Sequence, residues 1–149
     1  MRVLDPVSFV LRKKGSDVWS VTSDATVYSA MQTMADKDVG ALLVVDRGQL
    51  VGVVSERDYA RKVILLGRGS KDTPVSEIMS APPITITPEC SVDEAMRLIT
   101  THRIRHLPVV CDEKILGIIS IGDLVNWIAF AQDQTIEQLE HYIEGKYPC

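Results

Sequence analysis

The sequence predicts an α/β fold in which a β-α-β-β-α unit occurs twice. The strongest sign is an ungapped internal repeat, in which the segment Asp38–Tyr59 is followed later by its counterpart Arg103–Leu124. Each copy holds two apolar runs joined by a charged turn, and each ends in a Ser-x-x-Asp motif. At one constant spacing, the first copy's Gly52, Ser55 and Asp58 correspond to the second copy's Gly117, Ser120 and Asp123. Such a repeat indicates two structural units that pack against each other.

Each repeat opens with a short strand and a helix. The strands are predicted at Val18–Thr22 and at Ile84–Thr87. The helices are predicted because apolar residues recur at i, i+3, i+4 and i+7, which forms one buried stripe. The stripe residues are Val27, Ala30, Met31 and Met34 in the first repeat and Val92, Ala95, Met96 and Ile99 in the second. Ser91 and Glu94 have the spacing of a capping box, which marks the start of the second of these helices.

A hairpin and a final helix complete each repeat. The runs Ala41–Val45 and Leu107–Val110 are too short and too continuously apolar for surface helices, so they predict buried strands. Turn residues follow at 46–49 and 111–114 and return the chain into LVGVVS and ILGIIS as the partner strands. A helix is then predicted from Asp58 and from Asp123.

A short amphipathic helix is predicted before the first repeat. Asp5-Pro6 favours a helix start with proline at the first helical position, and Gly15 can end the helix. Its apolar face consists of Val7, Val10 and Leu11.

The chain between and after the repeats is also patterned. A connector spans 67–72, and Thr73-Pro74 begins a helical turn that ends near Met79. After the second repeat, which runs to about Phe130, a separate tail helix is predicted from capping spacing, an apolar face and a glycine stop. Those residues are Thr135, Gln138, Ile136, Leu139, Ile143 and Gly145. The predicted division is 1–72 for the N-terminal helix and first repeat, and 73–149 for the second repeat and C-terminal helix.

Composition excludes several classes of protein. The net charge of −4 and the pI near 5.3 disfavour a nucleic-acid groove, which needs a basic face. No apolar run reaches the roughly 18 residues of a membrane span, and the start of the sequence lacks the apolar stretch of a signal peptide. Cys90, Cys111 and Cys149 are odd in number and lack CxxC spacing, so we expect no disulfides and a reducing cytoplasm.

The two Ser-x-x-Asp motifs are the candidate sites, and the residues leave two interpretations open. The serines can be N-caps, with the aspartates favoured in the first helical turn by the helix dipole. Alternatively, the motif can cradle a nucleotide, with helix N–H groups near the phosphate and the carboxylate on the ribose diol. Arg57, Arg103, Arg105 and His106 would supply cations for the phosphate.

Catalysis and metal binding have no support in the sequence. His102 and His106 are four residues apart, but that spacing presents two metal ligands together only within one helix. Here His102 is predicted to end a helix and His106 to start a strand. Neither motif serine has a histidine near it in sequence, and no Walker or GxGxxG motif is present.

The repeated unit, closing in GVVSERD and GIISIGD, resembles the cystathionine-β-synthase (CBS) domain, and the tandem pair resembles a Bateman module. The further segments GRGSKDTPVSEIM and RIRHLPVV make the chain similar to small stand-alone bacterial CBS-pair proteins and their plant organellar relatives. The resemblance implies two sheets related by a pseudo-twofold axis, with two clefts between them. Such clefts bind AMP, ATP, NAD(H) or S-adenosylmethionine.

The resemblance also implies site residues for each cleft. For one cleft it implies Ser120, Gly122, Asp123 and Ile118, with Thr22, Val39, Gly40 and Ala41 from the opposite repeat. For the other it implies Ser55, Arg57, Asp58 and Val53, with Ile86, Thr87, Ile104, Arg105, His106 and Pro108. Gly122 stands where the first repeat has Arg57, and Gly40-Ala41 stand where the second has Arg105-His106. The clefts are therefore expected to differ, with the cations in the Asp58 cleft.

By this resemblance, the chain is expected to be a non-enzymatic regulatory protein that senses an adenine nucleotide without a catalytic cofactor. We also expect a homodimer that acts on a separate protein partner. Two alternatives remain at this stage. One is an interaction scaffold that has lost its ligand, and the other is a redox-responsive protein that acts through its cysteine thiols.

Overall fold

The computed structural model describes residues 3–15 and 17–143, with side chains as far as Asp133. The α-helices are α1 (Val7–Lys14), α2 (Val27–Lys37), α3 (Glu56–Tyr59), α4 (Val92–His102) and α5 (Ile121–Ile143). A π-helical segment, Ala60–Ile64, continues α3, and a 3₁₀ turn spans Val75–Glu77. The strands are β1 (Ser20–Val21), β2 (Ala41–Asp46), β3 (Gln49–Ser55), β4 (His106–Cys111) and β5 (Lys114–Ser120). Both predicted hairpins are confirmed.

The two hairpins share the same irregularity in strand register. Strands β2 and β3 pair antiparallel, as do β4 and β5, and the register of each pair shifts at corresponding positions, after Val44 and after Val109. Gly52 lies opposite Val44, and Gly117 lies opposite Val109. The sequence repeat is therefore also a repeat of strand register, which places the two Ser-x-x-Asp motifs at equivalent hairpin ends.

The opening strands are shorter than the sequence predicts. In the first repeat, β1 contains only Ser20–Val21 and pairs parallel with β2. In the second repeat, the strand expected at Ile84–Thr87 is reduced to a single parallel bridge between Ile86 and Val109. Ile86 donates its N–H to the carbonyl of Pro108 and accepts from the N–H of Val110. Nearby prolines have no N–H to extend this ladder, which explains why the strand prediction was too long.

Helix starts follow the predicted capping chemistry. The N–H of Glu94 donates to Ser91 Oγ at 3.1 Å, so Ser91 is the N-cap of α4 as expected. Helix α1 begins one residue later than predicted, because Pro6 is its N-cap and not its first helical residue. Gly15 ends α1 with a φ of 98°, a conformation that L side chains rarely adopt.

The tail prediction was wrong in one respect. Helix α5 runs without interruption from Ile121 to Ile143, so no separate helix starts near Thr135. Between Gly122 and Ile143 the sequence has no glycine or proline that would break the helix. The predicted stop at Gly145 lies outside the described residues.

The buried residues form two cores that do not follow the division at residue 72. The first-repeat core includes α2, β2 and β3, and it also takes in Val75 and Ile78 from beyond the connector. The second-repeat core includes α4, β4, β5 and Leu124 of α5, and it also takes in Val7, Val10 and Leu11 of α1. Each repeat therefore completes its core with a segment that lies outside the repeat in sequence.

Candidate functional site

The first motif forms a reciprocal capping box at the start of α3. Asp58 donates its N–H to Ser55 Oγ at 3.2 Å, and Ser55 donates its N–H to Asp58 Oδ2 at 3.0 Å. The other carboxylate oxygen, Oδ1, lies 3.3 Å from the ammonium group of Lys62, one helical turn away. The capping interpretation of this motif is therefore correct for the backbone, but it leaves one carboxylate oxygen facing a surface lysine.

That carboxylate lines a cavity of about 670 Å³ between the two repeats. The first repeat contributes residues from the start of β2, the end of β3 and the helix after it, namely Gly40, Val53, Ser55, Glu56, Arg57, Asp58, Arg61 and Lys62. The second contributes the segment before α4 and the turn between α4 and β4, namely Ser80, Pro82, Pro83, Ile84, His102, Arg103, Ile104, Arg105 and His106. The volume lies within the range of small-molecule sites, roughly 300–1,000 Å³.

Positive charge is concentrated in this cavity. Arg57, Arg61, Lys62, Arg103 and Arg105 all line it, against the carboxylates of Glu56 and Asp58. The pKa of the Arg57 guanidinium is lowered, first by the charge of Arg61 and then by burial and Arg105. Arg57 also donates to the carbonyl of Arg103 at 3.1 Å, which joins the two repeats. Such crowding of like charges would be relieved by a bound anion.

His106 lies where the two repeats meet. A Cβ atom on Gly40 would lie 3.7 Å from its Nε2, so the residue just before β2 faces the first residue of β4 across the boundary between the repeats. The pKa of His106 is lowered, chiefly by burial and then by the charge of Lys14, which keeps the imidazole neutral at neutral pH. His106 can therefore act as a neutral hydrogen-bonding group at the cavity wall.

The second motif repeats the capping geometry but has a different neighbour. Ser120 donates its N–H to Asp123 Oδ2 at 2.8 Å, and Asp123 donates its N–H to Ser120 Oγ at 3.1 Å. Lys14, from the last turn of α1, donates to the same Oδ2 at 2.6 Å and to the carbonyl of Ile118 at 2.7 Å. Beside Asp123 there remains a space of about 230 Å³, lined by Val10, Lys13, Lys14, Asp123, Asn126 and Trp127.

The structure brings many of the sequence-predicted site residues together around Asp58. Of the residues assigned to this cleft, those that line the cavity are Val53, Ser55, Arg57, Asp58, Ile104, Arg105 and His106. Gly40 lies in this cavity too, although it was assigned to the Asp123 cleft, because the residue just before β2 lies directly opposite His106. Ile86 and Pro108 are buried and bonded to each other in the second repeat, and with Thr87 they do not line the cavity.

Of the residues assigned to the Asp123 cleft, Ser120 and Ile118 lie beside Asp123 and Lys14, whereas those from the opposite repeat do not line the space next to it. Thr22, Val39, Ala41, Ile118, Ser120 and Gly122 line neither of the two cavities. Thr22 donates to Asp24, Val39 packs on the first-repeat core, and Ala41 is buried within β2. Asp123, beside which these residues were expected, is contacted instead by Lys14 of α1. The sequence pattern did not place α1 there.

Sequence reasoning missed several cavity residues. Lys62 follows Asp58 at i+4, so helical spacing alone could have indicated it. Arg61 and the segment Pro82–Ile84 belong to no sequence motif that would have indicated them as cavity residues. Lys14 gave no signal at all, because a lysine at the end of a short amphipathic helix normally faces solvent.

Other chemistries find no support in the described part of the chain. No group of three or more His, Cys, Asp or Glu side chains there could hold a metal ion, although His102 and His106 both line the cavity. Burial raises the pKa of Cys90, and the charge of Asp112 raises that of Cys111, so both thiols are protonated at neutral pH. Among the described residues, no helix is long and apolar enough to cross a membrane.

A comparison with known protein families finds the same two repeats. A family model of the CBS domain matches the chain twice, over residues 12–64 and 75–130. The chain belongs to the CBS-domain family. Each match ends in the helical segment that follows a Ser-x-x-Asp motif.

Individual relatives are CBS-domain proteins as well. The mitochondrial CBS domain-containing protein CBSX3 of Arabidopsis thaliana is 42% identical over 151 residues, covering 95% of this chain and 73% of that protein. A protein with CBS domains from Burkholderia ambifaria has a solved structure with 48% identity and a TM-score of 0.80, covering 83% of this chain and 93% of that one. The CBS domain protein PAE2072 from Pyrobaculum aerophilum, solved in complex with AMP, has 28% identity and a TM-score of 0.72, covering 80% and 89%.

Proposed function

We propose that this chain is a non-enzymatic regulatory protein that binds an adenine nucleotide in the Asp58 cavity. The observation that carries the proposal is the composition of that cavity. A carboxylate stands at a helix start, where it can accept from a ribose diol, and five cationic side chains stand around it for phosphate. The complex of PAE2072 with AMP supports the adenine nucleotide as the ligand class.

Within the cavity, different groups suit different parts of the ligand. Ile84 and Ile104 are the apolar residues of its second-repeat wall and suit the adenine ring, while Asp58 accepts from the ribose hydroxyls. Arg57, Arg61 and Arg105 suit the phosphate, since guanidinium groups donate to phosphate oxygens in pairs. The number of cations favours AMP, ATP or NAD(H) over S-adenosylmethionine, whose sulfonium is itself positive.

The regulatory output is proposed to pass to a separate protein, through a homodimer in the cytoplasm. Ile64, Leu65 and Leu66 are consecutive apolar residues with exposed fractions of 56%, 76% and 66%. On α5, Val125 is 51% exposed and Phe130 is 37% exposed. Large apolar side chains that lie on, or directly after, the helical segments that follow the two motifs suit a self-association surface. A concentration-independent 16.5 kDa mass in light scattering would exclude the dimer.

Thermal unfolding with added nucleotides tests the ligand. At about 100 times its dissociation constant, a ligand stabilises the folded state by roughly 2.7 kcal/mol. For a chain of this size, the melting temperature should then rise by about 5–10 °C. AMP, ATP, NAD(H) and S-adenosylmethionine should be compared with GMP and GTP. If millimolar concentrations of every adenine compound leave the melting temperature unchanged, the interaction scaffold without ligand becomes the better interpretation.

A further inference from the structure

The second cleft contains a contact that the nucleotide-sensing function does not require. The ammonium group of Lys14 lies 2.6 Å from Asp123 Oδ2 and 2.7 Å from the carbonyl oxygen of Ile118. Among the described residues, the ion-pair partner of Asp58 is Lys62, which lies one turn further along the same helical segment. The lysine paired with Asp58 thus comes from the same helical segment, whereas the lysine paired with Asp123 comes from α1.

Helix α1 holds Lys14 in this position. Val7 and Val10 are buried in the second-repeat core, and the N–H of Val7 donates to the carbonyl of Cys90 at 2.8 Å. A Cβ on Gly117 would lie 2.7 Å from Cδ2 of Leu11, so α1 packs directly on the β5 backbone. Lys14 therefore belongs to a helix that is packed against the second repeat.

The ammonium group of Lys14 takes up one of the two carboxylate oxygens of Asp123. Asp123 Oδ2 already accepts from Ser120 N–H and from Lys14, and the lysine neutralises the carboxylate that would attract hydroxyl donors. The space left beside it, about 230 Å³, is below the usual range for a bound small molecule. The Asp58 cavity is about 670 Å³.

We propose that Lys14 is the residue that closes the Asp123 cleft to adenosine ligands, so that each chain binds one nucleotide, in the Asp58 cavity. The inference rests on the proposed function for the identity of the ligand. Lys14 acts as an internal substitute for a second ligand, because it makes the contact with Asp123 that the ribose diol would make.

The matched variants are Lys14→Met and Arg12→Met. Both remove one positive charge from the last turn of α1 and keep an unbranched apolar side chain. Arg12 lies over the ring of Phe9, at 5.3 Å from its centroid, and lines neither cavity. Circular dichroism and thermal unfolding establish that each variant is folded before binding is measured.

Titration calorimetry with AMP counts the sites. The native chain and Arg12→Met should bind one AMP, and Lys14→Met should bind two. The double variant Lys14→Met/Asp123→Ala should return to one, because the second site requires the Asp123 carboxylate. Two sites in the native chain, or no more sites in Lys14→Met than in the native chain, would overturn the inference.

The same titration separates failure of this inference from failure of the proposed function. If the native chain binds no AMP and Lys14→Met binds one, the Asp58 assignment fails and the closure by Lys14 stands. If neither protein binds AMP, both the assignment and the closure are wrong. In the second outcome the Lys14–Asp123 pair is only a structural ion pair.

Discussion

The two Ser-x-x-Asp motifs have the same backbone geometry and different surroundings. In both, the serine hydroxyl accepts from the aspartate N–H and the aspartate accepts from the serine N–H. At Asp58 the carboxylate opens on a cavity of about 670 Å³ with five cationic side chains. At Asp123 it is paired with Lys14. The comparison teaches that capping and ligand binding are compatible roles, and that the neighbouring elements decide whether the second role is available.

The difference continues into the helices that follow. After Asp58, a single α-helical turn gives way to a π-helical segment that ends at Ile64. Asp123 instead lies in the first turn of α5, an α-helix of 23 residues. Short π-helical segments occur frequently at functional sites, because they change the direction in which side chains are presented. Here the segment carries Arg61 and Lys62, both of which line the open cavity.

The largest expected effect is on nucleotide affinity at the two aspartates. Asp58→Ala should weaken AMP binding at least tenfold, because a hydrogen bond to a charged acceptor contributes roughly 1.5–3 kcal/mol. Asp123→Ala, the matched control, loses the same cap and should leave the affinity unchanged, because Lys14 already occupies that carboxylate. Titration calorimetry measures both. Equal losses in the two variants would show that the clefts do not differ in the way their structures suggest.

The second comparison concerns the paired glycines of β3 and β5. A Cβ on Gly52 would lie 2.8 Å from Met79 Sδ and 2.9 Å from the backbone oxygen of Ser80, which cannot easily move. Gly52→Ala should therefore lower the free energy of unfolding by about 1–3 kcal/mol. Gly117→Ala should cost less, because its new methyl group meets the flexible end of Leu11. Urea unfolding at equilibrium measures both, and a larger loss for Gly117→Ala would contradict this ranking.

A smaller effect is expected at Arg105, whose counterpart in the first repeat is Gly40. Arg105 lines the Asp58 cavity and is exposed, so its interaction with phosphate is partly screened by water. Arg105→Ala should weaken ATP binding by up to about fivefold, which corresponds to ~1 kcal/mol for an exposed ion pair. Adenosine, which lacks phosphate, should bind the variant and the native chain equally. An equal loss for adenosine would assign Arg105 to the base or the ribose.

The smallest effect is a pH dependence from His106, whose counterpart is Ala41. Burial and the charges of Lys14 and Arg105 lower its pKa in the folded chain, against the opposing effects of Asp123 and Asp58. Below about pH 6.5 the unfolded chain therefore binds more protons than the folded chain, so stability falls as the pH falls through the folded pKa. His106→Gln should reduce this loss between about pH 7 and pH 5 in urea unfolding. An unchanged pH profile would show that His106 does not contribute.

The features of the fold that depend on local residue pattern and on the internal repeat could be predicted from the sequence. The hairpins, the Ser91 cap and the apolar face of α1 follow from periodicity, capping spacing and residue type. The expected charge difference between the clefts came from the resemblance to the CBS domain, which assigned residues to each cleft. The sequence did not predict the contact between Lys14 and Asp123, because tertiary packing alone brings α1 to β5. The dispersal of Thr22, Val39 and Ala41 has the same origin, since the position of one repeat against the other is set by long-range contacts.

The exchange of segments between the two cores has a consequence for how binding can be observed. Val75 and Ile78 complete the core of the first repeat, and α1 completes the core of the second. Each core therefore depends on a segment that lies outside its own repeat in sequence. Heat should therefore disassemble both units together, in one cooperative transition. A ligand held in either cleft then raises the melting temperature of the entire molecule, and the size of the rise carries no information about the location of that ligand. Occupancy must be assigned by counting bound molecules in variants of each cleft.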